Sequence, residues 1–166
     1  MKRISVSVSV AVMLFAVTAC DSGTGLSGAE EDGRTRLSVR DGYGEFGEYM
    51  VRINAMTTTS LTPEVAKSYG IVRSANSGLV NLVILKKSSD TAMDIPITGD
   101  VEVSATNLTG QMKSVKLREI VEGESVYYLA QVSIDDRETV HFDFDIRPAD
   151  SNKNLPVRFS YQFYTR

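Results

Sequence analysis

The sequence predicts an all-β protein: an immunoglobulin-like antiparallel β-sandwich of seven to eight strands with one short helix. Three observations carry that reading. Apolar residues recur at every second position in several separate segments, the period of a strand with one face on a core. Turn residues separate those segments at short intervals, as in two-sheet sandwiches. The composition, 42% hydrophobic and 23% charged, is that of a globular chain. With one Cys and no Trp, neither the central Trp nor the disulfide of antibody domains is available. Tyr and Phe must pin the core instead, chiefly from the last three strands.

The elements follow in order. Tyr49, Val51 and Ile53 alternate with Met50, Arg52 and Asn54. Thr62 is suited to cap a helix, Pro63 to its first position and Gly70 to its stop, which predicts about two turns over Pro63–Tyr69. Leu79 to Leu85 is nearly continuous apolar and reads as a central strand. Val101, Val103 and Ala105 form the next file, and Met112 to Val121 a weaker strand. Val126, Tyr128, Ala130, Val132 and Ile134 share one face. Val140, Phe142, Phe144 and Ile146 alternate with His141, Asp143, Asp145 and Arg147. Val157, Phe159, Tyr161 and Phe163 close the chain. Turns are expected at Ser77-Gly78, Asp90, Gly99-Asp100, Thr109-Gly110, Glu122-Gly123, Asp135-Asp136 and Asp150–Asn152.

The N-terminus reads as an address. Lys2 and Arg3 precede an uncharged stretch from Ile4 to Val17, too short for a span of about 20 residues and suited to a signal-peptide core. It ends in Val17-Thr18-Ala19-Cys20, which resembles the lipobox of bacterial lipoproteins. That resemblance implies removal of residues 1–19, lipid on Cys20 and a periplasm-facing protein anchored to a membrane. Several acyl chains hold for practical purposes permanently, at about 0.8 kcal/mol per buried CH₂. Asp21 after the Cys slightly favours the inner membrane, as in enteric bacteria, with the outer membrane as the alternative. Residues 20–44 are rich in Gly, Ser, Asp and Glu and read as a tether with a reach of roughly 25–30 Å, although Leu37 and Val39 could start a strand. Residues 45–166 form one domain. Loss of Lys2 and Arg3 takes the formal charge from −3 to −5. So acidic a chain gives no reason to expect nucleic acid as a partner.

The segments GEYMVRINAM (Gly47–Met56), LTPEVAKSYGIVRSANSGLVNLVIL (Leu61–Leu85), ATNLTGQ (Ala105–Gln111) and VRFSYQFYT (Val157–Thr165) together resemble one bacterial family. It is the domain-of-unknown-function family numbered forty-four twenty-six, found mainly in gammaproteobacteria as small exported proteins. The resemblance covers the whole domain and implies an exported single-domain β protein. It carries no established activity and transfers no catalytic residue.

Site chemistry is sparse. His141, Asp143 and Asp145 point to one face of their strand, successive members roughly 6.5–7 Å apart. They are the candidate metal ligands, set against an ordinary solvated face paired to Arg147 or Arg158. Asp135-Asp136 with Glu138 lacks the spacing of a calcium loop and reads as a capped turn. No nucleophile elbow is present and His141 is the only histidine. The break in the strand pattern at Thr62, Pro63, Glu64, Tyr69 and Arg73 is the candidate interaction surface. The expected function is a non-catalytic interaction or accessory module of the cell envelope, without cofactor, binding an envelope protein. The alternatives are a periplasmic metal-binding module at His141/Asp143/Asp145 and a hydrolase.

Overall fold

The computed structural model describes residues 35–37, 42–88 and 93–165. The segment 1–19 read as a signal peptide, the expected lipidation site Cys20, and Asp21 and Asp90 lie outside the described residues.

The fold is two packed, mostly antiparallel sheets. In chain order the strands are β1 (Thr35–Leu37), β2 (Tyr43–Phe46), β3 (Tyr49–Thr57), β4 (Ser77–Lys86), β5 (Ile95–Pro96), β6 (Gly99–Asn107), β7 (Met112–Lys113), β8 (Val115–Glu122), β9 (Ser125–Ser133), β10 (Thr139–Pro148) and β11 (Leu155–Gln162). One sheet runs β1-β11-β10-β6-β7; the other runs β2-β3-β4-β9-β8, with β5 paired to β4. The sandwich and the short helix are as expected. This division into five and six strands is not the four-plus-three order of an immunoglobulin constant domain.

The alternating files form the core. Val51, Ile53, Val80, Leu82, Ile84, Ala105, Ala130, Val140, Phe142, Phe144, Ile146, Val157, Phe159 and Phe163 are buried between the sheets. Phe142 stacks on Phe144 at 6.3 Å and meets Phe163 edge-on at 6.4 Å. Tyr161 meets Phe163 at 4.7 Å. Aromatic contacts of this kind add to the burial of their own area.

The structure corrects four expectations. Two described strands begin inside the segment read as tether: β1 pairs parallel to β11, and β2 pairs with β3. Gly/Asp-rich composition hid strands this short. Met112–Val121 is not one strand; it breaks at Ser114, with β7 in one sheet and β8 in the other. Ser77-Gly78 is no turn but the start of β4, because a Cβ on Gly78 would sit 2.8 Å from the Phe163 ring. Gly99-Asp100 likewise opens β6, where a Cβ on Gly99 would lie 2.5 Å from the Arg147 carbonyl oxygen. Both glycines are there for close approach, not for turning.

The other turns follow their side-chain chemistry. Asn107 Oδ1 accepts from the N–H of Thr109 at 3.1 Å and of Gln111 at 2.9 Å, and Gly110 takes φ 78°. In the turn at Asp135-Asp136, Glu138 accepts from the Asp135 N–H at 2.9 Å and pairs with Lys113 at 2.6 Å. Burial alone would raise the Glu138 carboxyl. The Lys113 hydrogen bond, the Asp135 N–H and the Lys113 charge outweigh it and hold the group below its ordinary 4.5. A carboxylate depressed on folding stabilises above its unfolded value and loses that contribution as pH falls through the folded one. Glu138→Gln is therefore expected to cost about 2 kcal/mol near neutrality. The gap between variant and parent should narrow in chemical denaturation run at progressively lower pH; a constant gap would contradict the assignment.

Candidate functional site: an apolar cleft beneath the helix

β3 and β4 are antiparallel neighbours that a tight turn could have joined, since Thr57 pairs with Gly78. Residues 58–76 instead leave the sheet and fold back over its outer face. The neck is closed by Thr58, the buried polar residue of the described chain. Its hydroxyl donates to the Ser74 carbonyl at 3.0 Å and accepts from the Ser74 N–H at 2.9 Å. Arg73 adds a bond to the Thr59 carbonyl at 2.9 Å.

A 3₁₀ turn (Thr58–Ser60) leads to α1 (Pro63–Ser68). As expected, Thr62 caps α1, its hydroxyl accepting from the Val65 N–H at 3.3 Å, and Pro63 is the first helical residue. At the other end Gly70 takes φ 60°. Its N–H donates to Lys67 O at 3.1 Å, and the Ile71 N–H to Ala66 O at 2.7 Å. This is the Schellman arrangement, with its characteristic apolar contact between Ile71 and Ala66. It turns the chain so that both residues face the sheet. Far from the neck, the Tyr69 hydroxyl donates to Glu122 on β8 at 3.1 Å, and that bond, then burial, raises its phenol above the ordinary value.

Ala66 and Ile71 pack on Leu79 of β4 and Leu129 of β9 as a second apolar cluster, separate from the main core. Beside it is a cleft of about 240 Å³. Met56, Leu79, Asn81, Tyr127 and Leu129 form its floor; Leu61, Val65, Tyr69 and Ile71 form its cover. Its lining holds no carboxylate, amine, imidazole or thiol. Such a cavity can hold an apolar group, and the phenols of Tyr69 and Tyr127 belong to its lining. The Oδ1 atom of Asn81 is buried and has no hydrogen-bond partner.

Of the expected interaction residues, the structure gives Thr62, Pro63 and Arg73 the task of shaping the cover. Tyr69 lines the cleft and Glu64 is exposed. Asn81, Leu79 and Leu129 were missed. The available signal was two continuous apolar runs, Leu79–Val80 and Tyr127–Ala130, whose outward members need covering as much as the inward ones.

His141, Asp143 and Asp145 do share the outer face of the other sheet, but each is engaged there. His141 Nδ1 meets Ser160 Oγ at 2.7 Å. Arg158 grips Asp143 with two bonds of 2.7 and 2.9 Å. Asn154 donates to Asp145 at 3.2 Å. Among the described residues no three His, Cys, Asp or Glu side chains group so as to hold a metal ion. The Ser160–His141 pair, which the sequence did not announce, sits on an open strand face. The carboxylate nearest in sequence, Asp143, is committed to Arg158 rather than to orienting the imidazole.

Fold and cleft together define a two-sheet β-sandwich with a built apolar cavity on one outer face. The chain belongs to the family described as a domain of unknown function, DUF4426, whose model matches residues 43–166. It is similar to a crystal structure of a DUF4426 family protein from Pseudomonas aeruginosa PAO1, with 29% identity and a TM-score of 0.62. That likeness covers 74% of this chain and 93% of the other. No curated protein matches.

Proposed function

We propose that the chain is a non-catalytic binding module of the bacterial cell envelope, held at a membrane by lipid on Cys20 and working through residues 58–76 and the cleft beneath them. The observation that carries this reading is the composition of the cleft: largely apolar walls on a sheet face, a capped and pinned cover, and a lining without carboxylate, amine, imidazole or thiol. The lipobox-like Val17–Cys20 supports the anchor, and Asp21 supports retention at the inner membrane. An envelope protein is the expected partner of the exposed side of the cover, where Glu64 is exposed and Val72 is 74% exposed.

Two measurements test the reading. Cys20→Ser is expected to move the protein from the membrane fraction to the soluble one; unchanged fractionation sinks the anchor. A photocrosslinking residue at Val72 or Val65 is expected to capture the same envelope protein in intact cells. One at Glu102, on the other sheet, should not. Identical products from all three positions would remove the cover as the working surface.

A further inference from the structure

We propose that the free edge of β8 is a self-association surface. A second copy of this chain adds its own β8 there, antiparallel, so that the sheets β2-β3-β4-β9-β8 of two copies run on as one. The inference goes beyond the cover and its cleft and uses neither.

The sheet edges are unequal. β1, β2 and β7, at the other three edges, are three, four and two residues long, whereas β8 has eight. Natural sheets keep their edges short because a row of unpaired N–H and C=O groups is a template for another strand. The hairpin shows which groups form that row. A two-residue loop, Gly123-Glu124, joins β8 to β9, with Gly123 at φ 59°; a hairpin of this kind takes Gly first in a type II′ turn. Its closing pair, Glu122 and Ser125, is hydrogen-bonded, and bonded and non-bonded pairs alternate from there. Lys116, Arg118, Ile120 and Glu122 therefore bond to β9. Val115, Leu117, Glu119 and Val121 turn their backbone groups outward. Among the described residues no backbone hydrogen bond reaches β8 except those of the β9 ladder. Val121, on the inner side of this edge, is still 59% exposed.

The order of charges along β8 selects the occupant. Directly opposed residues of an antiparallel pair share a face, so a two-fold copy sets odd positions against odd and even against even. An axis at Leu117 opposes Lys116 to Arg118, one at Arg118 opposes two guanidinium groups, and one at Glu119 opposes two carboxylates. Like charges so placed are destabilising. An axis at Val121 shortens the overlap to residues 120–122. An axis at Ile120 has neither fault: Ile120 meets its copy, Glu119 lies opposite Val121, and Arg118 meets Glu122 of the second copy twice. Glu119 and Val121 then form the hydrogen-bonded pairs, as the hairpin requires. Ile120, Arg118 and Glu122 fall in the non-bonded pairs, whose side chains lie closer together. Arg118 and Glu122 are exposed, and the Tyr69 hydroxyl holds Glu122 at 3.1 Å. The strand is complementary to itself, as a two-fold interface demands.

Two charge reversals in separate full-length chains test this. Arg118→Glu leaves acids at both positions and Glu122→Arg leaves bases at both, so each repels its own copy while the two complement one another. Sedimentation equilibrium in density-matched detergent is expected to show a monomer–dimer equilibrium for the parent. Either variant should associate at least about tenfold more weakly, and the mixture should form a heterodimer of parental strength. In membranes, Ile120→Cys is expected to give a disulfide-linked dimer on oxidation, because opposed residues of a non-bonded pair have Cα atoms about 4.5 Å apart, within disulfide reach. Lys116→Cys, displaced from its copy along the strand, should not, nor should the parent. A parent that stays monomeric at about millimolar concentration overturns the proposal. So does either variant dimerising at parental strength, or a mixture of the two that stays monomeric while each is folded by circular dichroism. Equal crosslinking at Lys116 and Ile120 would mark random collision and overturn it as well. Should a reversal fail to fold, the absence of an Ile120→Cys dimer is by itself decisive against self-pairing. Capture at Val72 is read separately, so the binding-module reading stands or falls without these results.

Discussion

Phe142→Ala is expected to be the most damaging single truncation in the chain, costing about 3–5 kcal/mol and lowering Tm by roughly 12–20 °C. Phe142 is fully buried at the centre of β10. Its strand neighbours are Ala105 on β6 and Phe159 on β11, and its ring also touches Phe144 and Phe163. Deleting the ring opens a hole bounded by β-sheet backbone, which cannot collapse to fill it as a loop could. Phe142→Leu keeps most of the volume and should cost under about 1.5 kcal/mol. Urea unfolding of the pair separates lost volume from lost aromatic contact. Comparable losses in both variants would mean that ring packing matters more than the cavity.

Gly99→Ala is expected to cost about 3 kcal/mol although it adds one methyl group. The new Cβ would meet the Arg147 carbonyl oxygen at 2.5 Å and Ile84 Cδ1 at 3.0 Å. The first contact is backbone on the paired strand β10 and cannot turn aside. The same residue is held by Tyr128, whose hydroxyl accepts from the Gly99 N–H at 2.7 Å and also lies 2.9 Å from the Gly99 carbonyl and 3.1 Å from Glu119. Burial, reinforced by the Glu119 and Asp100 charges and opposed by the Gly99 bond, pushes this phenol up to about 12, so it stays neutral and keeps its proton for these bonds. Displacing Gly99 therefore strains the β6–β10 ladder and unseats a hydroxyl that joins the two sheets. Hydrogen exchange should show the amides of β6 and β10 opening first. A loss below about 1 kcal/mol would mean that β10 shifts freely, contrary to the packing seen here.

The main core was readable in the sequence because alternation is a local property. Val140, Phe142, Phe144 and Ile146 sit two residues apart and needed no tertiary knowledge to be assigned to one face. The helix was readable because Thr62, Pro63 and Gly70 each act on their immediate neighbours. Gly78 and Gly99 were misread because glycine has two uses, bending a chain and admitting a close neighbour. Only the neighbours, Phe163 and the Arg147 carbonyl, decide between them. The cleft is the least local feature. Its floor takes outward residues from β3, β4 and β9, and its cover comes from residues 58–76. The order β3-β4-β9 joins strands far apart in sequence. Asn81 is one asparagine among several in the sequence; its meaning depends on what lies over it.

The parallel pairing of β1 with β11 has a mechanical consequence. Thr35, Arg36 and Leu37 register with Val157, Arg158 and Phe159, so the first described strand is clipped beside the last. A pull on the chain from its N-terminal side acts along both strands and loads these rungs together in shear, instead of peeling them singly. Should the clip yield, the chain ahead of β2 would pay out by roughly 3.3–3.6 Å per residue while the paired sheets stay whole. The short ladder would thus behave as a force-limited clip, lengthening the reach of the chain on the N-terminal side of the sandwich under load and shortening it again when the load is released.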